Sequence, residues 1–205
     1  MTTLIVDKIE PATGTAIQLG DSGDTITVPA GVTFTNSGTA TGFGTAGLVG
    51  AKTVQYSASH AQSGANWQDI ANLNLTYTAA STSNRMLFLA QVGFCISGTS
   101  CVFKFYNKTT GANPTGGVAA NVSSRVGTTS RSAVNGTGWG QQCFLNAWIT
   151  PPDTSANQYS VYAWDHNAGG IRINSNLNNA DSTNADDGRS YSQFTILEFG
   201  SAIIT

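Results

Sequence analysis

Charged side chains are scarce in this sequence. They make up 10% of its 205 residues, whereas soluble domains usually contain about 25%. Only Glu10 and Glu198 are glutamates, so the chain has few of the residues that favour exposed helix surfaces. This scarcity, together with abundant Gly, Ser, Thr and Asn, predicts an all-β fold.

Basic residues are sparse and unclustered. The nine Lys and Arg residues are scattered singly, and the formal net charge is -2. A protein that binds DNA or RNA needs such residues grouped against the phosphates. The sequence therefore predicts no nucleic-acid partner.

Long apolar runs are also missing. No stretch approaches the roughly 18 apolar residues of a membrane-spanning helix, and the N-terminus has neither the basic start nor the apolar run of a signal peptide. We therefore expect a protein that is made in a cytoplasm, stays soluble and is not inserted into a membrane.

Cysteine and histidine are few. Cys95, Cys101 and Cys143 form an odd set in strand-like surroundings, which predicts buried free thiols, although one disulfide is an alternative. No cysteine pair has the spacing of a metal site, and His60 and His166 are the only histidines. The sequence predicts no cofactor and no metal site.

The N-terminal part is organised around an alternating stretch. Ile26, Val28, Ala30, Val32 and Phe34 occupy every second position, which is typical of a strand with one apolar face. About 45 residues of such thin strands bury too little surface to form a core within one chain. We therefore expect several copies to share these faces around a symmetry axis, and we choose a three-fold axis. The alternative is a loose arm lying on its own domain.

This interpretation divides the chain into three parts. Residues 1–35 form a β stem for attachment and trimerisation, residues 36–51 a Gly- and Thr-rich connector, and residues 52–205 a head domain. The predicted stem interface of the trimer consists of Ile17, Leu19, Ile26, Val28, Val32 and Phe34.

Short apolar segments recur between turn signals throughout the head. About ten such strands in roughly 150 residues are typical of a β-sandwich or jelly roll. The predicted strands are residues 53–58, 67–77, 86–96, 101–106, 117–122, 125–134, 141–149, 158–164, 170–173 and 191–199.

Three of these segments carry apolar residues at both parities: residues 86–94, 143–149 and 194–199. Strands of this kind are covered on both faces. We therefore expect one sheet of the head to pack on a second sheet and also on a neighbouring subunit.

Five motifs form a recognisable set. Near the N-terminus they are LIVDKIEPATG at 4–14, GDTITVPAGV at 23–32 and NSGTATGFG at 36–44; in the head they are TAASTSNRML at 78–87 and SYSQFTILEF at 190–199. The first three resemble the N-terminal stem of fibre proteins of marine tailed bacteriophages of the cyanophage type. The last two are similar to a hairpin and the closing strand of the globular heads of those fibres.

The resemblance implies a homotrimer with an intertwined stem and a jelly-roll head like those of the complement C1q and tumour necrosis factor class. Family members are virion components whose heads usually contact the host surface, a glycan or a protein. Such fibres often carry an attachment domain ahead of the stem, whereas here the stem motif begins almost at Met1. We expect either that this short N-terminus docks onto other virion proteins or that another subunit holds it.

Aromatic residues within polar segments are candidates for recognition. Flat rings cover apolar patches while neighbouring Asn, Asp and Gly supply hydrogen bonds. The alternative is that the tryptophans pack in the core or an interface. The candidate recognition residues are Trp139, Trp164, Asp165, His166, Asn167, Asp186 and Asp187.

Two other functions remain open at this point. A capsid decoration protein would use the same trimer to stabilise the shell. A polysaccharide-cleaving tailspike would need two carboxylates across a glycosidic bond, from the set Asp153, Asp165, Asp181, Asp186, Asp187 and Glu198. The loop that contains Asp181, Asp186 and Asp187 has the composition of Asx turns. A calcium ion held by its oxygen atoms is the alternative, although the loop does not fit the EF-hand register. We predict a non-enzymatic protein without catalytic residues.

Overall fold

The computed structural model describes residues 25, 27, 31–32, 47–62, 66–96, 100–121, 127–133, 140–165, 170–175 and 190–201. The chain forms two compact units, Met1–Thr41 and Gly42–Thr205. In the first unit, Gly31 lies in a turn with a φ of 85° and Val32 is 59% exposed. The predicted alternating strand therefore does not continue through Gly31.

The described part of the second unit contains ten strands and no α-helix, so the all-β prediction is confirmed. The strands are β1 (Leu48–Tyr56), β2 (His60–Gln62), β3 (Gln68–Thr78), β4 (Arg85–Ile96), β5 (Ser100–Asn107), β6 (Ser130–Ala133), β7 (Gln141–Ile149), β8 (Ala156–Asp165), β9 (Ile171–Ile173) and β10 (Ser192–Phe199).

The strands form two antiparallel sheets. In sheet A, β4 pairs with β7 along one edge and with β10 and then β9 along the other, while β1 pairs with β10 and β2 with β9. In sheet B the order is β3-β8-β5-β6. Sheet A is thus four strands wide. One position is occupied in succession by β10 and β9, and the edge position beside it by β1 and β2.

The core lies between the sheets because alternate residues of each strand point inward. In β10, Phe194 and Ile196 are fully buried while the residues between them are partly exposed. Phe88 of sheet A lies at the centre of the core, with its ring 4.9 Å from Tyr159 and 5.3 Å from Phe105 of sheet B. Edge-to-face contacts of this kind are favourable for aromatic rings.

Strand β3 contains a large β-bulge. Asp69 stands opposite Tyr162 and Asn74 opposite Ser160, so four residues on β3 face Val161 alone. Within the bulge, Asn72 has a φ of 65°, a conformation that Asn tolerates better than most residues. The bulge thus adds three residues to β3. Because this number is odd, the alternation of inward and outward side chains shifts by one position within the bulge, and Ile70 and Leu73 both point into the core.

A buried glutamate links the two sheets. Glu198 of β10 is 1% exposed and accepts hydrogen bonds from Tyr77 Oη of β3 at 2.9 Å, the Ala80 backbone N at 2.9 Å and Asn84 Nδ2 at 2.7 Å. Burial and the hydrogen bond to Glu198 raise the pKa of Tyr77. These three donors satisfy a carboxylate that would otherwise be costly to bury.

Several fold predictions need correction. Strand β1 begins at Leu48, so the sheet starts before residue 52, and the short strand β2 was not predicted. The predicted strand at 117–122 is wrong over residues 117–121, because Gly116 has a φ of 89° and Gly117 N donates to Pro114 O at 2.9 Å, which forms a turn.

The prediction of buried cysteines outside a disulfide is confirmed for Cys95, Cys101 and Cys143. Burial raises the pKa values of Cys101 and Cys143, so both remain thiols at neutral pH.

Candidate functional site

The outer face of sheet A is apolar and open in the single chain. Phe144 is 65% exposed, while Leu89 and Trp148 are each 38% exposed. Leu87 stands opposite Leu197 on one side and Trp148 on the other, so apolar side chains continue across three strands. A contiguous exposed patch of this kind marks an interaction surface more often than scattered apolar residues do.

A shallow pocket of about 320 Å³ lies on this face, lined among others by Leu89, Phe144, Gln193 and Thr195. No charged residue lines it. The polar groups nearby are neutral amides that pair with each other, as Gln91 Nε2 does with Gln142 Oε1 at 2.7 Å. An apolar centre with neutral polar groups resembles the core of a protein interface.

The outer face of sheet B has a different character. Trp67 and Trp164 pack with ring centroids 5.7 Å apart, and Tyr106 and Tyr162 pack with centroids 4.5 Å apart. The ammonium of Lys104 lies between these pairs, 4.5 Å from the Trp67 ring centroid and 5.0 Å from that of Tyr106. Both distances are within the range of cation–π attraction.

Trp67, Trp164 and Lys104 belong to the lining of a pocket of about 350 Å³. Its lining residues include Asn66, Trp67, Lys104, Asn113, Asn121 and Trp164. Lys104 is only 8% exposed, and burial lowers its pKa. Asn121 is fixed in place because its Oδ1 accepts a hydrogen bond from Gly127 N at 2.6 Å.

The charge on this face is mostly positive. Its acidic residue, Asp69, is engaged by Lys108 Nζ at 2.5 Å and by the hydroxyl of Ser160. Arg131 of β6 stands opposite Val102 of β5, and Val102 stands opposite Trp164 of β8 on its other side. Arg131 and Trp164 therefore lie in the same cross-strand row. Lys104 forms no ion pair with any residue that the structure describes.

The described carboxylates of the earlier enzymatic candidates have structural partners. Asp153 accepts hydrogen bonds from Ser155 N and Asn157 Nδ2, each at 2.8 Å, as in an Asx turn. Glu198 links the two sheets, as described above. Neither of the two open pockets is lined by a carboxylate, and the described residues contain no cluster of metal-ligating groups.

The candidate recognition residues fall into two groups. Trp164 lines the pocket on sheet B. Asp165 is 2% exposed and accepts a hydrogen bond from Gly170 N at 2.7 Å, so its carboxylate faces inward and not toward the surface expected for it. The remaining candidates lie outside the described residues: Trp139, His166, Asn167, Asp186 and Asp187.

Val32 is the described member of the predicted stem interface, and it is exposed. The other members also lie outside the described residues: Ile17, Leu19, Ile26, Val28 and Phe34.

Sequence reasoning missed Trp67 and Lys104. Lys104 carried a usable signal, since it is the single charge within the apolar strand β5. A lone lysine there must either lie on an outer face or be compensated by neighbours. Trp67 carried no such signal because its orientation depends on the bulge in β3.

A scan against protein-family models and a search of curated proteins found no match to this chain. Among the described residues, no helix has the length and apolar character required to cross a bilayer.

Proposed function

We propose that this chain is a structural virion protein: a homotrimeric bacteriophage tail fibre whose head contacts the host-cell surface. The observation that carries the proposal is the open apolar face of sheet A on an otherwise well-packed two-sheet head. The resemblance of five sequence motifs to those of phage fibres supplies the biological context of the proposal.

The strand pairing supports a jelly-roll head. When the short strands β2 and β9 are set aside, eight strands remain, and they pair in nested order: β1 with β10, β3 with β8, β4 with β7, and β5 with β6. Two four-stranded sheets connected in this way are typical of a jelly roll.

The outer face of sheet A supports the trimer. Residues 86–94 and 143–149 carry apolar side chains at both parities, and the second sheet covers only one parity. Phe144, Leu89 and Trp148 therefore still lack a cover. A neighbouring subunit would supply one, and closed symmetry would use the same contact in every copy.

A trimeric head suits adhesion because three weak contacts act together. Once one head is bound, the others bind at a high effective concentration, and avidity can exceed single-site affinity by about 10² to 10⁴. A fibre of this kind does not need a tight individual site. Other virion proteins would hold the N-terminal end.

Two measurements test this proposal. Light scattering of the purified protein should give about three times the chain mass of 21.2 kDa. Labelled trimer should bind host cells and compete with virion adsorption. A monodisperse monomer, or undiminished adsorption of virions that lack the protein, would contradict it.

Electron microscopy of the particle distinguishes the fibre from a capsid decoration protein. Antibody label at the tail supports the proposed function, whereas label on the capsid surface identifies the decoration protein. A lack of new reducing ends after incubation with host polysaccharide would argue against a glycan-cleaving enzyme.

A further inference from the structure

We propose that the pocket on sheet B formed by Trp67, Lys104 and Trp164 binds a carboxylate-bearing sugar unit, such as a uronic acid, of a surface glycan. The inference rests on the proposed function for its biological meaning, because it names the ligand class of the host-contacting head. The binding chemistry follows from the pocket itself.

The aromatic wall provides the first argument. Trp67 and Trp164 lie 5.7 Å apart with ring planes inclined by 55°, so they form an angled apolar wall. Sugars present apolar C–H faces to such rings, while their hydroxyls need hydrogen-bonding groups around the rim. The side-chain amides of Asn66, Asn113 and Asn121 line the same pocket and offer both donors and acceptors.

The lysine selects an acidic sugar over a neutral one. Lys104 is 8% exposed and has no carboxylate partner among the described residues. Two aromatic rings hold its ammonium in place, but a buried cation is stabilised further by an anion. A carboxylate entering the pocket would supply that charge.

Neighbouring charges favour the same choice. Arg131 stands in the row of Trp164 and adds positive potential, while the Asp69 carboxylate is engaged by Lys108 and Ser160. A phosphate ligand fits less well, because phosphate sites commonly use bidentate arginines or clustered backbone N–H groups. The single ammonium of Lys104 suits a singly charged carboxylate.

Calorimetric titration of the full chain tests this inference with matched probes. The acidic probes are trimers of galacturonate, glucuronate and mannuronate, together with sialyllactose, and each is compared with its neutral methyl ester. We expect at least one acid to bind about tenfold more tightly than its ester, since hydrogen bonds to charged groups are stronger than neutral ones. If no acid binds, or if every acid and its ester bind equally, the inference is wrong.

Variants locate the effect. Lys104→Met keeps the aliphatic stem beside the rings, and we expect it to lower the affinity for the acid about tenfold with no loss for the ester. Lys52→Met removes an exposed lysine of β1 that donates to Thr76 O, and it should leave both affinities unchanged. Thermal unfolding of Lys104→Met checks that the head is still folded. Equal affinities of Lys104→Met and the wild type for the acid would overturn the inference.

A glutamate trimer controls for charge alone. It carries three carboxylates but no sugar ring, so we expect it to bind at least about tenfold more weakly than the preferred acid, since it cannot use the aromatic wall. Equal binding of the peptide would overturn the assignment to a sugar.

Cell adsorption separates failure of this inference from failure of the proposed function. If wild type and Lys104→Met adsorb to host cells equally and no acidic sugar competes, the fibre function stands and the pocket assignment fails. If the acid binds through Lys104 but neither protein adsorbs to cells, the pocket assignment stands and the fibre function fails.

Discussion

The outer faces of the two sheets differ although both belong to the same sandwich. Sheet A presents Leu89, Phe144 and Trp148, with neutral amides and a shallow pocket. Sheet B presents indole and phenol rings around Lys104, with asparagines at the pocket rim. The first face has a broad apolar centre whose pocket is lined by no charged residue, and the second has a charge within a partly apolar cup.

The partners proposed for the two faces differ in size. A broad apolar face gains stability by excluding water over a large area, which requires a second protein surface. A cup with a few placed polar groups suits a small ligand, since specificity comes from individual hydrogen bonds. The four predictions below test this division, from the largest expected effect to the smallest.

Phe144→Glu should dissociate the proposed trimer. Each copy would bury an unpaired carboxylate at the proposed interface, and an effective cost of several kcal/mol per ion raises the dissociation constant at least about a thousandfold. The monomer should remain folded because Phe144 is 65% exposed in the single chain. Light scattering at several concentrations measures the change.

Thr76→Glu is the matched control on sheet B, because Thr76 is exposed on β3. This variant should remain a trimer. If Phe144→Glu also remains fully trimeric, the outer face of sheet A is not the subunit interface, and the contrast between the two faces loses its meaning.

Glu198→Ala should destabilise both sheets together. It removes the acceptor of three donors, including Tyr77 of sheet B, and should lower the free energy of unfolding by about 3 kcal/mol. Urea unfolding measures this loss. Gln193→Ala, on the partly exposed side of the same strand, should change stability by only about 0.5 kcal/mol. Similar losses in the two variants would contradict the role given to Glu198.

Alkaline pH should weaken the head through sheet B. Burial raises the pKa of Tyr159 to about 12, so the folded state holds this proton more tightly than the unfolded chain. The associated stability is complete below pH 10 and is lost as the pH rises toward 12, by about 2 kcal/mol. Urea unfolding at several pH values measures the loss, and Tyr159→Phe should reduce the pH dependence. An unchanged slope in Tyr159→Phe would contradict this assignment.

Lys108→Met should have the smallest effect. The Lys108–Asp69 pair lies at the edge of the sheet B face with both side chains partly exposed, and such pairs contribute about 0.2 to 1 kcal/mol. The ion pair raises the pKa of Lys108. The stability difference between the wild type and this variant should shrink in high salt. A salt-independent loss above about 2 kcal/mol would indicate a structural role that the partial exposure does not suggest.

Much of the fold could be predicted because the strands follow simple rules. Apolar residues at both parities in residues 86–94, 143–149 and 194–199 located three strands of sheet A. The strand predicted at residues 117–122 is wrong over 117–121, because only Val118 there favours a strand, whereas Pro114 and Gly116 set a turn before it. Turn chemistry and strand propensity both argue against a strand at that point.

The pocket on sheet B could be predicted only in part. Trp164 was a candidate because an aromatic residue adjoined a polar segment, but Asp165 was grouped with it despite its opposite parity. Adjacent residues of a strand point to opposite faces, and this rule would have separated the two. Trp67 and Lys104 join Trp164 through pairing between distant strands, which one sequence does not reveal.

The bulge in β3 determines whether the cup on sheet B can exist at all. Leu73 and Leu75 point into the core, and in a regular strand of period two Trp67 would share their direction. The irregular segment from Ile70 to Leu73 reverses this parity, which places Trp67 beside Trp164. If the same residues formed a regular strand without the bulge, the indole would turn away from its neighbour and the cup would be lost, although the sequence would still encode every side chain that lines it. The proposed sugar pocket therefore depends on the odd number of extra residues in β3 as much as on the chemistry of its side chains.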